Sequence, residues 1–242
     1  QANRALIAHL QDGGVSTLLY GGNANFYNVG LYEYAALLDF LAEAVAAETW
    51  VIPSAGPDFG KLMDPAKVLR ERAFPTAMVL PPSAACTPDG AARAIRAFAD
   101  AFGRPVIVYI KSEGFLTPMH VERLAVAGVV AAVKYAIVRH DPARDPFLAE
   151  LVQRIDRTRI VSGIGERPAI VHLREFGLAG FTSGSVCIAP RGSMALLADL
   201  ADEEIEHIVA ENEAAVAARF PRYTPQVIRE QVEATRAREI GR

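Results

Sequence analysis

The run Val129-Val130-Ala131-Ala132-Val133-Lys134-Tyr135-Ala136-Ile137-Val138 decides the fold. It is apolar and rich in β-branched residues, the composition of a strand buried on both faces. Such strands occur in parallel sheets covered by helices. Lys134 is the exception within it. A lysine in that setting reaches solvent, pairs with an acid, or exists partly as the neutral amine, because burial disfavours the charged form. The run contains no Asp or Glu to pair with it. A neutral ε-amine is the nucleophile that attacks ketones to form a Schiff base.

On either side of this run, strand-like and helix-like patterns alternate every roughly 25–30 residues, as βα units require. Upstream strands are expected at Ser16–Tyr20, Trp50–Pro53, Thr76–Leu80 and Pro105–Ile110. Downstream ones are expected at Arg159–Gly163 and Gly180–Ser183. Helices are expected at Asn3–Gln11, Leu31–Ala47, Pro65–Arg72, Pro88–Phe102, Thr117–Ala127, Asp145–Ile155 and Pro168–Phe176. Three more follow, at Ser193–Leu200, Asp202–Phe220 and Pro225–Arg238. Seven strands, each followed by a helix, with one leading helix, read as an α/β protein. The expected architecture is a (β/α)8 TIM barrel over residues 1–192, its first strand absent from this chain, with a C-terminal helical extension over 193–242. A doubly wound sheet is the competitor, but Gly21-Gly22-Asn23-Ala24-Asn25 is no dinucleotide-binding fingerprint. The chain starts at Gln1 rather than Met, so a trimmed start is expected.

Composition narrows the function classes. Of 242 residues, 51% are hydrophobic and 22% charged, which fits a packed core and not disorder. A net charge of -3 gives no reason to expect nucleic acid or an anionic membrane surface as partner. No apolar run reaches the ~18 residues of a membrane span, and no signal peptide is seen. Cys86 and Cys187 do not make a disulfide framework, so a reducing, cytoplasmic setting is the simpler expectation. Cys187 reads as a small buried hydrophobe. His9, His120, His140, His172 and His207 fall in helices or loops and read as surface or packing residues.

In a barrel the site lies at the C-terminal ends of the strands. Those ends supply Gly22, Asn23, Tyr109, Lys134, Ser162, Ser183 and Gly184. They contain no metal-ligand cluster. Tyr109 is either a proton relay or an ordinary barrel tyrosine. Lys134 is either a nucleophile or one half of a structural ion pair, with Glu113, Glu166 or a more distant acid. The glycines at 21, 22 and 184 let backbone N–H groups approach a carboxylate, helped by hydroxyls such as that of Ser183. The same residues also make tight βα turns.

Six segments carry a resemblance to a known family. They are Gly21–Tyr27, Val106–Tyr109, Leu116-Thr117-Pro118, Ala132-Val133-Lys134, Ser162-Gly163, and Gly180–Ser185 before Pro190. In order and spacing they resemble the dihydrodipicolinate synthase / N-acetylneuraminate lyase superfamily of Schiff-base lyases, from Asn3 to about Leu200. The resemblance implies that Lys134 is the Schiff-base lysine and Tyr109 the proton relay. It also implies that the turn with Gly22 and Asn23 holds the keto-acid carboxylate, while Ser162, Ser183 and Gly184 remain the other candidate substrate-binding residues at the strand ends. A small-molecule 2-keto acid such as pyruvate, no cofactor, no metal and a homo-oligomer (dimer or tetramer) go with it. The departures are specific. The family turn carries Thr and Glu where this chain has Asn23, Ala24 and Asn25, and Ile110, Lys111 and Ser112 replace the Asn-Pro after the family tyrosine. The Gly-Gly-x-x-x-Phe-Tyr turn is nearer the sugar-acid dehydratase branch. A degenerate barrel that binds a keto or sugar acid without turnover, or serves as an interaction scaffold, is the alternative.

Overall fold

The computed structural model describes residues 1–82 and 85–198, and beyond them residues 207, 210, 211, 214 and 218, which are helical. The rest of the two last expected helices lies outside the described residues. The chain forms two compact units, one of residues 16–183 with Gln1, the other of residues 2–15 with those from 184 onward.

The larger unit holds the strands β1 (Thr17–Leu19), β2 (Trp50–Ile52), β3 (Ser54–Ala55), β4 (Met78–Val79), β5 (Val106–Ile110), β6 (Val130–Tyr135), β7 (Ile160–Ser162) and β8 (Gly180–Phe181). Every ladder is parallel and joins neighbours in chain order, β1 to β2 and then β3 through β8. Pro53 alone separates β2 from β3, so they are one strand position that passes from the first ladder to the second. Proline lacks the N–H that a ladder needs, but its carbonyl still accepts from Met78 N–H at 2.8 Å. The seven expected strand positions are therefore all present, in the order of a barrel wall.

Helices alternate with the strands: α2 (Leu31–Ala44), α3 (Phe59–Arg70), α4 (Pro88–Phe102), α5 (Pro118–Val126), α6 (Pro146–Arg154) and α7 (Glu166–Glu175). Three of them start on the same device. Thr87, Thr117 and Asp145 accept a first-turn N–H through their side chains, and a proline occupies the first turn. There its missing N–H costs nothing, and its fixed φ suits the helix. The sequence places the start of α3 at Pro65, whereas the helix begins at Phe59 and carries Pro65 inside. The reason is local. A proline at 65 leaves the Lys61 carbonyl without its intrahelical donor, and Gly56 N–H supplies one at 2.9 Å.

The core is continuous from Phe26 to Leu178. Phe98 and Phe102 of α4 stack at 5.9 Å between centroids, and Val106, Val108, Ile110, Val133 and Tyr135 are fully buried beneath the helices. The smaller unit pairs α1 (Ala2–Asp12) and α8 (Pro190–Leu197) with the short turn Ser185–Cys187. Cys187, expected to be buried, is exposed, because it ends this short turn and not a strand.

Candidate active site

The register between β5 and β6 sets Tyr109 opposite Lys134 and Ile110 opposite Tyr135. Side chains alternate across a strand, so Lys134 and Tyr109 share one face and Tyr135 takes the other. Tyr135 stacks on Phe147 of α6 at 6.0 Å and meets His172 of α7 edge-on at 5.9 Å. That is the helix-covered face, which leaves the lysine on the barrel's inner face.

Lys134 is half-buried, with its Nζ 4.3 Å from the centroid of the Tyr109 ring. The amine lies over the ring face, a cation–π arrangement worth about 0.5–2 kcal/mol when partly desolvated. Gly163, just past β7, leaves space for the lysine stem. A Cβ there would lie 2.9 Å from Lys134 Cε and 3.0 Å from Cγ. Burial, and then the positive charge of Lys111, lower the Lys134 pKa to about 8. At pH 7 about a tenth of the amines are then neutral and nucleophilic. No ion pair holds Lys134 among the described residues. Glu113 is engaged with Arg139 at 2.5 Å, and Glu166 opens α7.

Two phenols complete the inner face. Burial raises the pKa of Tyr109. Tyr27, from the turn after β1, is raised by burial and then by the nearby Tyr109. Both hydroxyls therefore stay protonated at neutral pH, able to donate or to pass a proton. The turn that carries Tyr27 starts as a 3-10 helix, Gly22–Ala24, followed by Asn25 in the left-handed region at φ 62°. Gly22 is packed by Tyr27, since a Cβ would meet that ring at 2.9 Å. The N–H groups of Gly22 and Asn23 lead this short helix, where no intrahelical acceptor serves them. Asn23 is exposed.

The structure separates the remaining site residues. Ser162 pairs in register with Tyr135 and faces the helices, its hydroxyl 2.9 Å from His172 Nδ1, both side chains buried. Gly163 is the residue of that segment beside the lysine. Ser183 follows β8 and is half-buried, and Gly184 opens the Ser185–Cys187 turn of the smaller unit. Tyr27, Lys111 and Gly163 stood in segments the sequence singled out without being site candidates; the structure sets them beside Tyr109 and Lys134. Lys111 is legible in principle as the residue two beyond Tyr109, which alternation returns to the same face.

No protein-family model and no curated protein matches the chain. Solved structures do. The dihydrodipicolinate synthase of Oceanobacillus iheyensis matches with a TM-score of 0.70 and 22% identity, over 86% of this chain and 67% of that one. The 2-keto-3-deoxygluconate aldolase of Picrophilus torridus matches with 0.74 and 17%, over 93% and 81%. A prophage protein of the dihydrodipicolinic acid synthase family from E. coli K12, described in complex with pyruvate, matches with 0.70 and 20%, over 93% and 77%. The family resemblance carried by the sequence is thus matched in three dimensions: this chain has the α/β TIM-barrel fold of the dihydrodipicolinate synthases and the 2-keto-3-deoxygluconate aldolase.

Proposed function

We propose that the protein is a Schiff-base-forming lyase acting on pyruvate or another 2-keto acid. The observation that carries this reading is the Lys134 amine, half-buried on the inner face, unpaired with any described carboxylate, and lowered to a pKa of about 8. Its neutral form attacks the keto carbon, and the C=O becomes a carbinolamine. Loss of water then leaves an iminium on Lys134. The iminium draws electrons from the neighbouring carbon, so a C–H bond there loses its proton or a C–C bond opens or closes. Tyr109, beneath the amine, carries protons to and from these species. The fold supports the assignment, as does the pyruvate described for the E. coli structure. Aldol and dehydratase chemistry share these first steps.

Borohydride reduction in the presence of pyruvate and other 2-keto acids tests it. A stable adduct at Lys134, found by peptide mass mapping and lost in Lys134→Arg, is the expected result. An unmodified Lys134 across the whole series overturns it.

The altered turn favours a second reading. Asn23, Ala24 and Asn25 offer neither the hydroxyl nor the acid of the family pattern. A barrel that binds a keto or sugar acid without turnover would show ligand-induced stabilisation that Lys134→Ala leaves intact. A homo-oligomer and a cytoplasmic location accompany the first reading, and sedimentation of the full chain tests the assembly.

A further inference from the structure

Lys111 is used neither by the core nor by the imine chemistry. It follows β5 by one residue and stands two beyond Tyr109. The ladder still holds at this point, because Ala136 N–H donates to the Ile110 carbonyl at 2.8 Å. Lys111 is therefore level with Ala136 and one diagonal step from Lys134, on the face that Tyr109 and Lys134 share. Ala136 borders the same space, since a Cβ on Gly163 would touch Ala136 and Lys134 at once. Lys111 is exposed, and its charge reaches Lys134. The nearest acid in sequence, Glu113, is bound to Arg139. Among the described residues, the groups facing Lys134 are Tyr109, Lys111 and the bare backbone of Gly163, with Tyr27 facing Tyr109. Two cations and two phenols thus share one face, with no described carboxylate paired to either cation.

We propose that Lys111 is a specificity-determining residue that binds a second carboxylate, so that the preferred substrate is a dianionic 2-keto acid. The inference rests on the Schiff-base reading and adds the class of substrate. A keto acid has one carboxylate beside the ketone. Where the turn at Gly22 and Asn23 takes that group, as the family resemblance implies, Lys111 is left for an anion further along the carbon chain. While its ammonium is unmatched it also favours the neutral form of Lys134, as a neighbouring cation does for other amine nucleophiles. Binding of the second carboxylate neutralises Lys111 once the substrate has arrived.

A matched pair of ligands tests this: 2-oxopentanedioate, a dianion, against 2-oxopentanoate, which has the same chain and one charge fewer. The initial rate of borohydride trapping at Lys134 is expected to favour the dianion at least tenfold. Lys111→Gln brings that ratio near one, and Lys111→Arg restores it. A ratio near one in the unaltered protein, or one unchanged in Lys111→Gln, overturns the proposal. A second arm needs no imine. Labelling of lysines by acetic anhydride, read by mass, is followed against pH with pentanedioate or pentanoate present. Protection of Lys111 by pentanedioate alone, with a higher pH midpoint for Lys134 in Lys111→Gln, supports the role of Lys111 even where no keto acid is trapped. That combination would sink the Schiff-base reading alone. Equal labelling of Lys111 with either acid sinks the anion site.

Discussion

At the scale of single residues, Lys134 is held against its own stability. Lowering its pKa from 10.5 to about 8 corresponds to about 3 kcal/mol against the ammonium in the folded state. The cation–π contact with Tyr109 returns about 1 kcal/mol of this. Lys134→Met is therefore expected to raise stability by about 2 kcal/mol at pH 7 while abolishing adduct formation, checked by urea denaturation beside trapping. The sign of the pH effect follows from the proton count. Between about pH 8 and 10.5 the unfolded chain binds the proton and the folded one does not, so stability rises with pH through that window. The difference between the parent protein and Lys134→Met should vanish above it. Gly163 is the second residue-scale point. Gly163→Ala puts a methyl 2.9 Å from Lys134 Cε and from Ala136 Cβ, so the lysine stem must shift. A loss of about 1–3 kcal/mol, with slower trapping at unchanged reagent concentration, is the outcome to look for.

At the scale of elements, the end of β6 is tied to the start of α6 through one carboxylate. Asp145 is buried, accepts the Leu148 N–H as helix cap, accepts the Tyr135 hydroxyl, and pairs with Arg139 at 3.1 Å. Arg139 in turn reaches Glu113 in the loop after β5. The loops that follow the two strands bearing Tyr109 and Lys134 are thereby joined. Asp145→Ala leaves a guanidinium and a phenol without their partner and should cost about 3–5 kcal/mol. Asp145→Asn keeps the cap acceptor and should cost less, the two distinguished by their urea midpoints. Thr117→Ala removes the cap of α5 and the 2.7 Å hydrogen bond to His120 Nδ1, and should cost about 1–2 kcal/mol. The helices capped by Thr87, Thr117 and Asp145 were readable in the sequence because a cap followed by proline is a local signal. The start of α3 was not, since the group that compensates Pro65 is Gly56, outside the helix.

At the scale of the whole molecule, folding seals a histidine in neutral form. Burial lowers the His172 pKa, against the opposing pull of Asp145, and its Nδ1 is engaged with Ser162. Below its ordinary value near 6.5 the unfolded chain takes up a proton that the folded one refuses. Stability falls with acid there, by up to about 1.4 kcal/mol per pH unit. His172→Gln should flatten the slope below about pH 6.5, measured by thermal unfolding as the pH is lowered from neutral. This histidine also marks the border of what was legible. The sequence alone determined the number and order of parallel strands and singled out Lys134 as a candidate, because alternation, β-branching and helix caps are encoded within a few residues of each other. Only the tertiary structure decided which face each strand end presents. A shift of one residue sends a side chain to the other face, so Ser162 went to His172 and Gly163 to the lysine. Only the register of β5 on β6 could set Tyr109 under the amine and bring Lys111 within reach of it, because those distances join residues far apart in the chain.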